Sequence, residues 1–179
     1  TRITFKADPE IFQETDHYEY EVLQARLREQ AFLNAGVKII LTDSRNAEDP
    51  KEDVFSYEGG IKSFVEYIHK KRGLSGIHDD IIDFSGTLPD GTSSGEVAFQ
   101  YNDSYNSLIL SFANNIHTVD GGTHEDGFKR AITKVINEYA KKYNRHKRKK
   151  NIPRKMQIGI CVRILIFDKE ISHNKNQNK

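Results

Sequence analysis

Val97-Ala98-Phe99-Gln100-Tyr101-Asn102-Asp103-Ser104, followed by Leu108-Ile109-Leu110-Ser111-Phe112-Ala113, is the stretch on which the fold turns. Val97, Phe99 and Tyr101 alternate with Ala98 and Gln100, and Leu108, Leu110 and Phe112 alternate with Ile109, Ser111 and Ala113. A period of two belongs to a pleated strand, whose successive side chains point to opposite faces. Asn102-Asp103-Ser104 between the runs favours a turn, so the pattern predicts a β-hairpin. Upstream, Asp80–Ser85 reads as a strand, and Thr87–Gly95, rich in Gly, Ser, Pro and Asp, as a turn region. Downstream, Phe128, Ile132, Val135, Ile136 and Tyr139 form the apolar stripe of a helix. Thr123 with Asp126 three residues on has the form of a capping box at its start.

The N-terminal half adds further elements. Arg2–Ala7 alternates as a half-buried strand does, and Asp8-Pro9 opens a helical turn over Pro9–Gln13. Leu23, Leu27 and Ala31 recur on one face of a helix over Glu19–Asn34, which Gly36 stops. Val37–Leu41 and Val54–Tyr57 are short strands around the acidic loop Glu48–Glu52. Ile61, Phe64, Val65 and Ile68 mark a second helix ending near Gly73. The order β-α-β-β-α-β-β-β-α is that of a two-layer α+β domain.

A chain of 179 residues has room for one domain and a sizeable core, and the lone Cys161 excludes a disulfide scaffold. No apolar run reaches the length of a membrane span and no leader opens the chain. Its start at Thr1 rather than Met reads as that of a piece of a longer protein. The net charge of +1 conceals a split. Residues 1–140 carry 14 basic and 24 acidic side chains, whereas residues 141–179 carry 13 and 2. Nine of the 15 residues from Lys141 to Lys155 are Lys or Arg. Such a stretch is either a solvated tail or a nucleic-acid contact.

Motifs for chemistry are few. There is no Gly-rich run ending in Gly-Lys-Ser/Thr, hence no P-loop. His124-Glu125 begins a zinc-protease motif, but Phe128 stands where the second His must be. Asp120–Gly127 lacks the alternating oxygen ligands of a calcium loop, and no Ser or Cys sits in a nucleophile elbow. The segment Asn114–Phe128 differs, crowding two Asn, three Gly and two His into a loop that enters a helix. Helix-start N–H groups can bind an anion, with Gly121-Gly122 permitting close approach. Alternatively, Gly121-Gly122 only makes the turn, while Asn and His side chains tie the loop to itself. Chemistry alone favours the second reading.

This segment resembles the corresponding loop and helix in the B subunits of the type IIA DNA topoisomerases, bacterial DNA gyrase and topoisomerase IV. The likeness extends to Leu27-Arg28-Glu29-Gln30-Ala31-Phe32-Leu33-Asn34-Ala35-Gly36-Val37-Lys38 and Leu41-Thr42-Asp43. It continues through Tyr57-Glu58-Gly59-Gly60-Ile61, Phe64-Val65-Glu66-Tyr67, Gln100–Tyr105 and Ile109–Ile116, in the family's order, over roughly residues 2–144. The Ala-Phe-Leu-Asn-Ala-Gly run leans toward gyrase. The resemblance implies the transducer domain of the ATPase half: a ribosomal-protein-like α+β fold, with helices on one side of a sheet and a left-handed β-α-β crossover. It implies coupling of ATP binding and hydrolysis to DNA strand passage, with ATP and Mg bound mainly by an N-terminal domain. The implied partners are double-stranded DNA, the gyrase A subunit and a second copy of the gyrase B chain, in the cytoplasm, and the fragment alone is expected to be inactive.

Beyond residue 144 the likeness fails. The family's Gly-Glu-Asp-x-Arg-Glu-Gly has no counterpart among residues 145–159, although Ile158–Phe167 is apolar enough to serve as the next strand. Gln177 and Lys179 fall near the place of the family's Gln-Thr-Lys, which contacts the ATP phosphate. The resulting expectation is a transducer domain over 1–144 and a basic, divergent tail over 145–179, a frameshifted remainder of the same domain. A misread tail should leave the final strand missing or displaced. The competing reading is a free-standing α+β module binding nucleic acid through residues 141–155.

Overall fold

A computed structural model describes residues 1–14, 17–89, 91–104 and 107–142, together with the backbone of 157–166. The chain forms two compact units, Thr1–Gly60 and Ile61–Lys179.

In the first unit, helix α1 (Tyr20–Leu33) packs on the antiparallel pair β1 (Lys38–Asp43) and β2 (Lys51–Ser56), with Ile39 opposite Phe55. Its C-terminus is closed by Asn34, whose backbone and side-chain N–H groups both donate to the Gln30 carbonyl. Gly36 follows at φ +81°, a left-handed conformation that favours glycine. Ala31, Phe32, Leu33 and Phe55 are buried, and Phe32 stacks on Tyr57 with ring centroids 3.7 Å apart. The strand expected over Arg2–Ala7 is not formed. Ile3 and Phe5 are 82% and 72% exposed, so their alternation has no sheet to serve among the described residues. Asp8 does open a turn, its carboxylate accepting from the Glu10 N–H at 2.9 Å.

In the second unit, helix α2 (Gly60–Arg72) buries Ile61, Phe64 and Val65 as the stripe predicts, and His69 as well. It ends in a Schellman arrangement, Leu74 N–H to the His69 carbonyl and Gly73 N–H to that of Lys70, with Gly73 at φ +63°. Five strands follow, β3 (Ile82–Thr87), β4 (Ser93–Asn102), β5 (Leu108–Ala113), β6 (Ile116–His117) and, after helix α3 (Thr123–Lys142), β7 (Gln157–Ile166). The sheet order is β3-β4-β7-β5-β6.

That order corrects the predicted hairpin. β4 and β5 are not neighbours, because β7 lies between them, antiparallel to β4 and parallel to β5. Phe99 and Ile109 both register with Ile160. The residues read as the hairpin turn bond elsewhere: Asn102 bridges Gly76, Asp103 N–H donates to the Ser75 carbonyl, and Ile77 N–H to that of Tyr101. β5-α3-β7 is thus a parallel β-α-β crossover. The strand beyond residue 144 is neither missing nor at an edge.

Residues paired across strands share a face. Val97, Phe99, Tyr101 and Ile109 lie on one face and pack with Phe128 and Ile132 of α3. The opposite parity holds Ala98, Gln100, Asn102 and Phe112, all buried. There Phe64 of α2 meets Phe112 at 6.2 Å, and Lys62 pairs with Asp83, which is opposite Ala98. The α+β class is as expected. α2 reaches the face opposite α3 through Phe64 and Lys62. This explains four consecutive buried residues, Val97 to Gln100, in a strand whose alternation implied a single buried side.

Candidate functional site

The segment that stands out chemically is Ser111–Lys129, where β5 turns into β6 and then enters α3. Asn114 and Asn115, at φ 49° and 65°, supply the two left-handed residues of a two-residue hairpin turn. This brings Thr118 back beside Ser111, with Thr118 N–H donating to the Ser111 carbonyl at 2.8 Å. Gly121, at φ +76°, then turns the chain, and its N–H donates to the Thr118 carbonyl.

Thr123 does not cap α3. It is the first helical residue, and Asp126 N–H donates to the Gly122 carbonyl at 3.0 Å, so Gly122 occupies the cap position. The capping box predicted from the sequence was one residue out of phase. Gly122 serves a second purpose. A Cβ there would sit 2.7–2.8 Å from the His124 ring, so the group that Gly121-Gly122 admits is the protein's own imidazole.

Five side chains converge beneath this turn. Ser111 Oγ, 1% exposed as a residue, donates to Glu125 Oε2 at 2.7 Å and lies 2.7 Å from Thr118 Oγ1. Thr118 Oγ1 is 2.9 Å from the Ser111 carbonyl and 3.1 Å from His124 Nε2. Lys129 Nζ donates to Glu125 Oε1 at 2.5 Å. Lys129 chiefly, and Ser111 after it, hold the Glu125 carboxyl below the usual carboxylate range, against the opposing effect of burial. Lys129 is raised in turn by Glu125.

The cluster binds loop to helix; it does not supply a nucleophile. His124 reaches Thr118 rather than Ser111, and the carboxylate that faces the Ser111 hydroxyl, Glu125, is held below the usual range by Lys129 and is a weak base. The anion reading of the loop loses ground, because Glu125 already brings a negative charge to the helix start. Sequence reasoning singled out residues 114–128 but missed Ser111, which sits inside an apolar strand. Its one signal was a hydroxyl in the run Leu-Ile-Leu-Ser-Phe-Ala. Among the described residues no three His, Cys, Asp or Glu are grouped to hold a metal, and no helix is long and apolar enough to cross a membrane. Gln177 and Lys179, expected near the ATP phosphate, lie outside the described residues.

Comparison with known proteins places this architecture. The chain is 53% identical over 143 residues to the DNA gyrase B protein of Clostridium acetobutylicum, covering 80% of this chain and 21% of that protein. It is 52% identical over 139 residues to the Staphylococcus aureus gyrase B protein, covering 78% and 21%. It therefore spans about a fifth of the length of these relatives. Among solved structures, the 43K ATPase domain of Thermus thermophilus gyrase B in complex with an aminocoumarin matches with a TM-score of 0.73 at 34% identity. That match covers 90% of this chain and 43% of the other. The Myxococcus xanthus gyrase B protein, at 18% identity and a TM-score of 0.69, shares the fold over 86% of this chain and 41% of its own. The DNA gyrase B family itself matches residues 60–166, more than half of the chain and the span from α2 to the end of β7, and the chain belongs to that family.

Proposed function

We infer that this segment is the transducer of a gyrase B protein, coupling ATP binding and hydrolysis elsewhere in that protein to DNA strand passage. The observation that carries the reading is the likeness to a gyrase B ATPase domain over 90% of the chain. ATP and Mg would be held mainly by residues outside this chain, and the partners would be double-stranded DNA, the gyrase A subunit and a second gyrase B chain. Within this reading, Ile61–Ile166 acts as one piece, because β7 joins β4 to β5. Gln177 and Lys179 are the proposed phosphate contacts.

The test is a chimera in which residues 1–179 replace the corresponding segment of a gyrase B protein. Reconstituted with gyrase A, it is expected to retain ATP-dependent supercoiling. A chimera that folds and binds nucleotide yet cannot supercoil DNA overturns the reading. In that chimera Lys179→Ala is expected to slow ATP turnover roughly tenfold, the scale of one lost charge-assisted bond. The isolated chain is expected to show no ATP turnover. A free-standing nucleic-acid module acting through residues 141–155 is not favoured, because the likeness to gyrase B proteins runs over four-fifths of the chain.

A further inference from the structure

The polar cluster at the β5–α3 junction has a proton count that closes in one way. Glu125 Oε1 receives Lys129 Nζ at 2.5 Å, so the carboxylate is ionised and only accepts. Ser111 Oγ, 2.7 Å from Oε2, therefore gives its single proton to Glu125. Ser111 Oγ is also 2.7 Å from Thr118 Oγ1, and one of the two hydroxyls must donate. With the Ser111 proton already committed, Thr118 is the donor, its hydrogen shared with the Ser111 carbonyl at 2.9 Å. Thr118 Oγ1 then has only acceptor capacity toward His124 Nε2, 3.1 Å away, and Nε2 must carry a hydrogen.

We propose that His124, Thr118, Ser111 and Glu125 form a one-way hydrogen-bond relay, closed by Lys129, that latches the first turn of α3 to strand β5. Its direction runs from His124 Nε2–H through both hydroxyls to the Glu125 carboxylate. Each bond polarises the next, so the His124 ring and the carboxylate of the adjacent Glu125 are coupled through the two hydroxyls as well as directly. Gly122 is the seat of the latch, because any larger residue would push the imidazole away from Thr118. The inference rests on these distances and does not depend on the coupling role proposed above.

The test is nitrogen-15 NMR of the histidine side chains in the full 179-residue chain, about two pH units above the usual imidazole value of about 6.5. His124 is expected as the Nε2–H tautomer. In Glu125→Gln the side-chain amide can donate to Ser111 Oγ, which removes the pull of the carboxylate along the relay, so the Nε2 signal should shift while staying in the protonated range, because the Ser111 carbonyl still takes the Thr118 hydrogen. Ser111→Ala, at a residue whose side chain His124 does not touch, should move it in the same direction by cutting the link between Thr118 and Glu125, with the Thr118 hydrogen left on the backbone carbonyl of residue 111. Thr118→Ser should keep the wild-type signal. A wild-type His124 protonated on Nδ1 overturns the proposal. So does an unchanged His124 signal in either folded variant, Glu125→Gln or Ser111→Ala.

Discussion

Tyr20 donates to Asp53 Oδ2 at 2.6 Å, and Gln24 donates to the same oxygen at 2.8 Å. The Asp53 hydrogen bond is the main reason the Tyr20 phenol is pushed from its ordinary 10 to about 12, and Asp53 is lowered in turn. A raised folded-state value means that this stabilisation is complete below pH 10 and is lost as the pH rises toward 12. Asp53→Asn is expected to return the phenol toward 10 in an ultraviolet titration. Asp43 has the opposite sign: hydrogen bonds from Arg45 lower it to about 2, so its contribution is present above 3.8 and is lost as the pH falls through 2. Arg45→Gln should bring the Asp43 carboxyl resonance back toward an ordinary midpoint. Tyr20 and Asp53 are 33 residues apart and carry no motif, which is why no reading of the sequence found them. Gly121-Gly122 was legible as a turn, but what it makes room for was not. Gly121→Ala is expected to cost about 1–2 kcal/mol in thermal unfolding, from the left-handed backbone alone.

Helices and strands were legible where periodicity was strong. The predicted stripes located α1, α2 and α3, and the alternation in β4 and β5 was read correctly. Their partnership was not, because a period of two records which faces a strand shows and says nothing of its neighbour. The missing information lay far downstream, in β7. Since β7 bonds on both sides, a proline in it removes a ladder donor at the middle of the sheet. Cys161→Pro, opposite both Ala98 and Leu110, is expected to abolish cooperative unfolding of the second unit in circular dichroism melts. Phe112, 0% exposed, is the strongest apolar anchor of the opposite face. Phe112→Ala should destabilise the unit by about 3–5 kcal/mol in denaturant titrations.

For the whole chain, the near-zero net charge is the sum of an acidic majority and a basic end, and it hid the one feature that invited a nucleic-acid reading. Cutting at Asn144 cannot test that reading, because the cut also removes β7. Replacing the Lys and Arg residues of 141–155 by Gln keeps the strand and isolates the charge. On the transducer reading, these substitutions are expected to leave DNA affinity and its salt dependence nearly unchanged in the isolated chain. A loss of about 0.9 in the logarithmic salt slope for each phosphate contact removed would instead favour the basic-tail module.

The place of β7 also sets the order in which the molecule can be made. The strand that completes the middle of the sheet is the last of the five to leave the ribosome. Until it arrives, β4 and β5 each present an open edge, the kind of surface that pairs with the wrong chain. The sheet of the second unit therefore closes only once β7 has been made, and its edges are open to wrong pairing between the emergence of Leu108 and that of Ile166.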